Sequence, residues 1–339
     1  MSWMSRRFGS RYRRPAVLCL ALAAVVALSS GVAAATDGSA SADGSRIDRI
    51  IDIDARHATL VVYSAAMDRT ISMRVLRPAD TSRPGPVLYL LDGAEDGIGS
   101  GGIETSWETR TDIDAFTADK DVTVVNILDG RYTYYTDWLA DDPVLGRNEW
   151  TTFLTRELPP LVDAALHTSG RNAIAGVSMS ATSVLALAQA APGLYAAVGS
   201  FSGCARTGTD PGRRFVQAVV ASGGGNPWNM WGPDGSPGWI DADPSTAANL
   251  EKLRGTELFV TAGVPRPGGA TNGPAVADPA GGNALESVVA QCTRHLQDAT
   301  EVLGIPATYR YTPGGLHDWP YWERSLHEAW PSFARALAD

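Results

Sequence analysis

Residues 87–91 read Val-Leu-Tyr-Leu-Leu, an apolar run with no polar position in it. A strand that faces water on one side alternates, whereas an unbroken run suits burial on both faces of a sheet. Residues 122–128, 173–177, 196–201, 258–261 and 307–311 repeat the pattern, and helical stretches occur among them at 149–167, 179–191, 283–303 and 319–337. Shorter β-type runs at 50–53, 58–63 and 71–76 come first and suit antiparallel hairpins opening the sheet. Strands first, then β-α alternation, predict an α/β chain with a central, mostly parallel sheet and helices on both faces. Residues 222–249, rich in Gly, Pro and Trp, are expected as a long loop before a late strand.

The N-terminus stands outside that pattern. Arg6, Arg7, Arg11, Arg13 and Arg14 precede a 13-residue apolar core at 16–28, and Ala33-Ala34-Ala35 offers a cleavage site before Thr36. A basic start, a short apolar core and small residues mark an export signal. A membrane span needs about 20 apolar residues, more than this core has. The expected organisation is a signal peptide at 1–35 removed on export, a polar leader at 36–46, and one α/β domain at 47–339.

Composition narrows the function. The chain has 28 basic and 37 acidic residues, and five of the arginines sit in the signal, which leaves 23 basic against 37 acidic groups. An acidic domain lacks the basic footprint that nucleic acid requires. Three cysteines exclude a disulfide-dense scaffold. In an exported chain Cys204 and Cys292 are the thiols left to pair, and spacing does not decide whether they do.

Gly176-Val177-Ser178-Met179-Ser180 falls between a strand and a helix. A sharp turn there lifts a serine above the sheet and needs small residues around it. Ser178 is the candidate nucleophile, against the plainer reading of a helix cap. Its hydroxyl needs a base. His57 and His167 precede it, contrary to the chain order of this fold class, and His295 and His327 lie in helical stretches. His317, in a loop after the last strand, is the candidate base. The acid that orients it follows the 258–261 strand, which leaves Asp278 and Glu286 open; Asp318 is too close to reach round to the ring. The amides of Met179 and Ala94 are the expected oxyanion donors. Gly97-Ile98-Gly99-Ser100-Gly101-Gly102 lacks the Lys-Ser/Thr of a phosphate loop and reads as a surface loop, and no metal-ligand spacing occurs, so no metal is expected.

These residues sit in longer matches: Tyr89-Leu90-Leu91-Asp92-Gly93, Thr136-Asp137-Trp138, the stretch from Trp150 to Pro159, Asn229-Met230-Trp231-Gly232-Pro233, and His317-Asp318-Trp319-Pro320-Tyr321-Trp322. In them the chain resembles the antigen 85-type mycolyltransferases, exported acyltransferases of the α/β-hydrolase fold, over roughly residues 70–335. The resemblance implies Ser178 as the acylated nucleophile and His317 as its base. Leu285-Glu286 matches the family's acid, so Glu286 displaces Asp278. It also implies Met179 and Ala94 as oxyanion amides, Asp92 as a ligand of sugar hydroxyls and Trp319 as an aromatic near the sugar.

The implied reaction takes a mycolyl chain from trehalose monomycolate to a second one, or to cell-wall arabinogalactan, without a cofactor. Alternatives are a secreted carboxylesterase and a non-catalytic relative that binds carbohydrate or matrix protein. Departures from the family bear on the acceptor. Glu95 stands where the family has arginine, Asp318 where serine is common, and residues 97–102 lengthen the neighbouring loop. A cysteine pair found in relatives is absent from 141–148.

Overall fold

The structure, a computed structural model, describes residues 43–95, 106–264 and 282–338. The expected signal, residues 36–42 of the leader, the stretch 97–102 and Asp278 lie outside the described residues. Among the described residues nine strands form one sheet: β1 (Arg46–Asp52), β2 (His57–Ser64), β3 (Arg69–Leu76), β4 (Gly85–Leu91), β5 (Thr123–Ile127), β6 (Thr168–Val177), β7 (Tyr195–Phe201), β8 (Glu257–Val264) and β9 (Thr308–Pro313). Their order is β1-β2-β3-β5-β4-β6-β7-β8-β9.

The first three strands pair antiparallel and β3 joins β5 antiparallel, whereas every pair from β5 to β9 is parallel. The chain goes from β4 to β5 on one side and returns past β4 to β6 on the other. In open α/β sheets such a reversal leaves a crevice at the carboxyl ends of the strands. Leu91 and Gly176, at those ends of β4 and β6, are register partners.

The unbroken apolar runs feed two cores. Leu88 and Leu90 pack with Val177, Phe201, Trp319 and Phe333 on one side of the sheet. Tyr89 and Leu91 pack with Ile174, Phe153, Met179 and Val184 on the other. Successive side chains point to opposite faces, so a central strand covered on both needs apolar residues throughout. The C-terminal helix Trp319–Ala338 contributes to the first core and the helix Met179–Ala190 to the second. Helices thus lie on both faces, as expected.

Two segments depart from the sequence reading. The expected helix at 149–167 is broken into Trp150–Thr152, a π-helical turn Phe153–Glu157, and Leu158–Leu166. Pro159 and Pro160 cannot donate to the preceding turn, and the ladder widens ahead of them. The stretch 222–249 is not a plain loop but contains the short helices Pro227–Trp231, Pro237–Asp241 and Ala247–Leu250. Trp231 and Trp239 meet edge to face at 5.2 Å, and Trp239 Nε1 donates to the Gly232 carbonyl.

Asp142 ties that stretch to the 138–148 loop. Its Oδ2 accepts from Asn226 N and Asn229 Nδ2, each at 2.9 Å, and its Oδ1 accepts from the amides of Val144 and Leu145. Burial pushes the Asp142 carboxyl up, but these donations outweigh it and hold the group below the usual carboxylate range. Cys204 and Cys292 form a buried disulfide with their Cα atoms 5.0 Å apart.

Candidate active site

Ser178 sits between the end of β6 and the helix Met179–Ala190 with φ 56° and ψ −118°. A non-glycine residue there stores about 1–3 kcal/mol of strain that the surroundings must hold. The surroundings do so at close quarters. A β-carbon on Gly176 would stand 2.6 Å from Ser180 Oγ, which explains the glycine. Ser180 occupies the position where the motif usually has a second glycine, and its Oγ accepts from Val177 N at 2.9 Å and lies 3.0 Å from the Leu91 carbonyl. The substitution therefore links the ends of β4 and β6 beneath Ser178.

Ser178 is at the N-cap position yet makes no side-chain cap. Its Oγ lies 2.7 Å from His317 Nε2 instead. His317 Nδ1 is 2.7 Å from Glu286 Oε1, and Glu286 Oε2 accepts from Gly263 N at 2.6 Å. The glutamate side chain is 0% exposed and the histidine 8%. Glu286 comes from the first turns of the helix Gly282–Leu303, Gly263 from β8, and His317 from the loop after β9. A buried carboxylate on Nδ1 fixes the tautomer that leaves Nε2 free to take the serine proton. The arrangement can make Ser178 a nucleophile toward an acyl carbonyl.

Three of the expected residues are thus brought together: Ser178, His317 and Glu286. Met179 follows Ser178 directly and is buried, with its Sδ against Tyr134 N. Ala94 lies in the turn after β4, packed on the Tyr89 side of the sheet. Asp92 is buried at the end of β4. Trp319 is only 4% exposed and packs edge to face on Trp107 and Trp322. Asp318 Oδ1 accepts from Trp319 N at 2.8 Å, at the start of the final helix. Glu95 is exposed.

The other histidines have separate partners or settings. His57 is held by Asp54, His327 stacks on Phe116 beside Asp112, His167 ends a helix in the left-handed conformation, and His295 is exposed. Gly263 and Trp322 were not singled out by sequence reasoning. Trp322 stands at right angles to the His317 ring at 5.1 Å and covers it. Its only signal was its place in the His-to-Trp stretch; Gly263 had none beyond being a glycine at a strand end.

A cavity of about 170 Å³ lies behind the helix Met179–Ala190, lined by Tyr134, Thr182, Ser183, Gln189, Trp231 and Lys252 among others. None of the Ser178, Glu286 and His317 side chains borders it.

The family model described as "Putative esterase" matches residues 64–333. The diacylglycerol acyltransferase/mycolyltransferase Ag85B of Mycobacterium leprae (strain TN) is 30% identical over 292 residues, covering 82% of this chain and 83% of that protein. Ag85A of Mycobacterium tuberculosis (strain H37Rv), which carries the same enzyme name, is also 30% identical over 292 residues, with 82% and 80% covered. Among solved structures, Mycobacterium tuberculosis MPT51 (FbpC1) superposes with a TM-score of 0.68 at 24% identity, over 84% of this chain and 100% of that one. The Staphylococcus aureus serine hydrolase FphF follows at a TM-score of 0.60 and 17% identity, over 84% and 98%. The two structures agree on the α/β-hydrolase fold. The family match and the sequence relatives together establish that the chain belongs to the esterase family, among its antigen 85-type mycolyltransferases.

Proposed function

We propose that the chain is an exported serine acyltransferase that moves a mycolyl chain between sugar hydroxyls. The observation that carries this reading is the relay from Ser178 through His317 to Glu286, 2.7 Å at both links, in a chain 30% identical to mycolyltransferases. Ser178 Oγ attacks the ester carbonyl of trehalose monomycolate while His317 Nε2 takes its proton. The tetrahedral oxyanion is held by the amides of Met179 and Ala94, each worth about 3 kcal/mol. His317 returns the proton to the departing sugar oxygen, which leaves an acyl ester on Ser178. An incoming hydroxyl, from a second trehalose monomycolate or from arabinogalactan, then gives its proton to His317 and takes the acyl group, and His317 passes that proton to the departing Ser178 Oγ.

Asp92 and Trp319 are assigned to the sugar. Residues 1–35 are assigned to a signal peptide and 36–46 to a leader, so the domain at 47–339 works in the cell envelope. Among the described residues no helix is long and apolar enough to cross a membrane. A second reading, hydrolysis with water as acceptor, is favoured by Glu95, which puts a carboxylate where the family carries arginine.

The test incubates the purified protein with trehalose monomycolate and follows dimycolate, free acid and the Ser178 adduct. Dimycolate, abolished by Ser178→Ala, is the expected result. Free acid alone would make the protein an esterase. Neither product nor adduct would leave only a binding role.

A further inference from the structure

Cys204 is a junction between the two helices that present Ser178 and Glu286. It follows β7 by three residues, and its carbonyl accepts from Thr182 Oγ1, on the first turn of the Ser178 helix, at 3.1 Å. Gly203, just before it, is pressed against the same turn: a β-carbon there would stand 2.6 Å from Ala181 Cβ and 2.9 Å from Thr182 N. The Cys204 sulfur is bonded to Cys292. Cys292 lies on the helix that carries Glu286, six residues further along, or about 9 Å of axial rise.

The apolar support for that end of the acid helix is slight. Val289 and Ala290 pack on Ala262 of β8 in a cluster of three buried residues, with partly buried Val264 and Tyr311 against it, separate from the two cores. Leu296, a turn beyond Cys292, is the helix's fully buried anchor in a main core. Both cysteines are at most 2% exposed. The requirement at the site is narrow, because one Glu286 oxygen must stay 2.6 Å from Gly263 N while the other stays 2.7 Å from His317 Nδ1.

We infer that the Cys204–Cys292 disulfide is a positioning element for Glu286, bracing the acid helix against the segment that holds the Ser178 helix. The inference rests on the proposed roles of Ser178, His317 and Glu286. With the disulfide, a shift of the acid helix carries the Ser178 helix with it and the relay keeps its register. Without it, the Glu286 end of the helix keeps that small apolar cluster and the carboxylate's own two bonds, and no covalent link makes it follow Ser178.

The experiment removes the bond in two backgrounds. Cys204→Ala/Cys292→Ala is made in the wild type and in Glu286→Gln, and kcat and KM are measured on p-nitrophenyl butyrate well below each variant's Tm. In the wild-type background kcat is expected to fall tenfold or more with KM within twofold. In the Glu286→Gln background the same pair is expected to cost less than twofold, because the group it positions has already been removed. Cys204→Ala/Cys292→Val, which refills buried space, serves if the alanine pair does not fold. An unchanged kcat, or an equal fall in both backgrounds, would overturn the inference while leaving the acid assignment intact. Full activity in Glu286→Gln alone would overturn that assignment and the brace with it.

Discussion

The amide nitrogen of Gly263 lies 2.6 Å from Glu286 Oε2, so the sheet holds one oxygen of the carboxylate and leaves the other to His317. The approach depends on a missing side chain. A β-carbon at 263 would stand 2.6 Å from the Gly315 carbonyl oxygen and 2.9 Å from Glu286 Oε2. Gly263→Ala therefore pushes on the acid and the histidine loop together. Its kcat on a p-nitrophenyl ester is expected to drop at least a hundredfold, about 3 kcal/mol in the barrier. Steady-state kinetics read this directly, and a kcat within threefold of wild type would refute it.

Ser180 offers a stability test of the turn. Ser180→Ala removes the acceptor of Val177 N and leaves a buried amide without its partner. Such a loss costs about 1–3 kcal/mol. Urea unfolding should show a lower midpoint with an unchanged slope, and no shift would mean that the amide finds another acceptor.

Tyr89 predicts the opposite sign. Its Oη is buried with no hydrogen-bond partner among the described residues, and burial pushes the phenol well above its ordinary pKa. Tyr89→Phe keeps the ring that meets Tyr195 edge to face at 6.1 Å and deletes the unsatisfied hydroxyl. A gain on the order of 1 kcal/mol is expected, seen as a higher Tm. A fall in Tm would show that the hydroxyl is bonded after all.

The acid dependence of stability should carry a contribution from Asp142. Its folded pKa lies below the unfolded value of about 3.9, so its stabilisation is complete above that value and is lost as pH falls toward the folded pKa. Asp142→Asn turns an amide NH₂ toward donors and removes the charge. The Tm gap between wild type and variant is expected to be open at pH 7 and to close below about pH 4. A gap independent of pH would assign the effect to packing.

Much of the fold was legible because its signals are local. The run at 87–91 is apolar in every position since Leu88 and Leu90 enter one core while Tyr89 and Leu91 enter the other. Ser178 was legible from a strand, a turn of small residues and a helix in succession. Glu286 was not, since it and Asp278 have similar spacing and only the family resemblance separated them. What distinguishes Glu286 in space is the Gly263 amide and complete burial, and neither leaves a trace near residue 286. The Cys204–Cys292 bond spans 88 residues and depends on where β7 and the acid helix meet. The short helices of 222–249 were hidden for a similar reason: the Trp231–Trp239 contact and the carboxylate of Asp142 hold them in place.

His317 stands 139 residues after Ser178, and the helix Trp319–Ala338 comes after it. Trp322 of that helix covers the imidazole, and Trp319 and Phe333 seat the helix on the sheet. The order of synthesis therefore sets the order of chemistry. A chain whose segment beyond β9 is still unfolded holds Ser178 with no imidazole beside it. On the proposed roles, Ser178 stays unreactive until the helix Trp319–Ala338 has docked. On the proposed roles, reactivity arrives late, with a base made 139 residues after the serine.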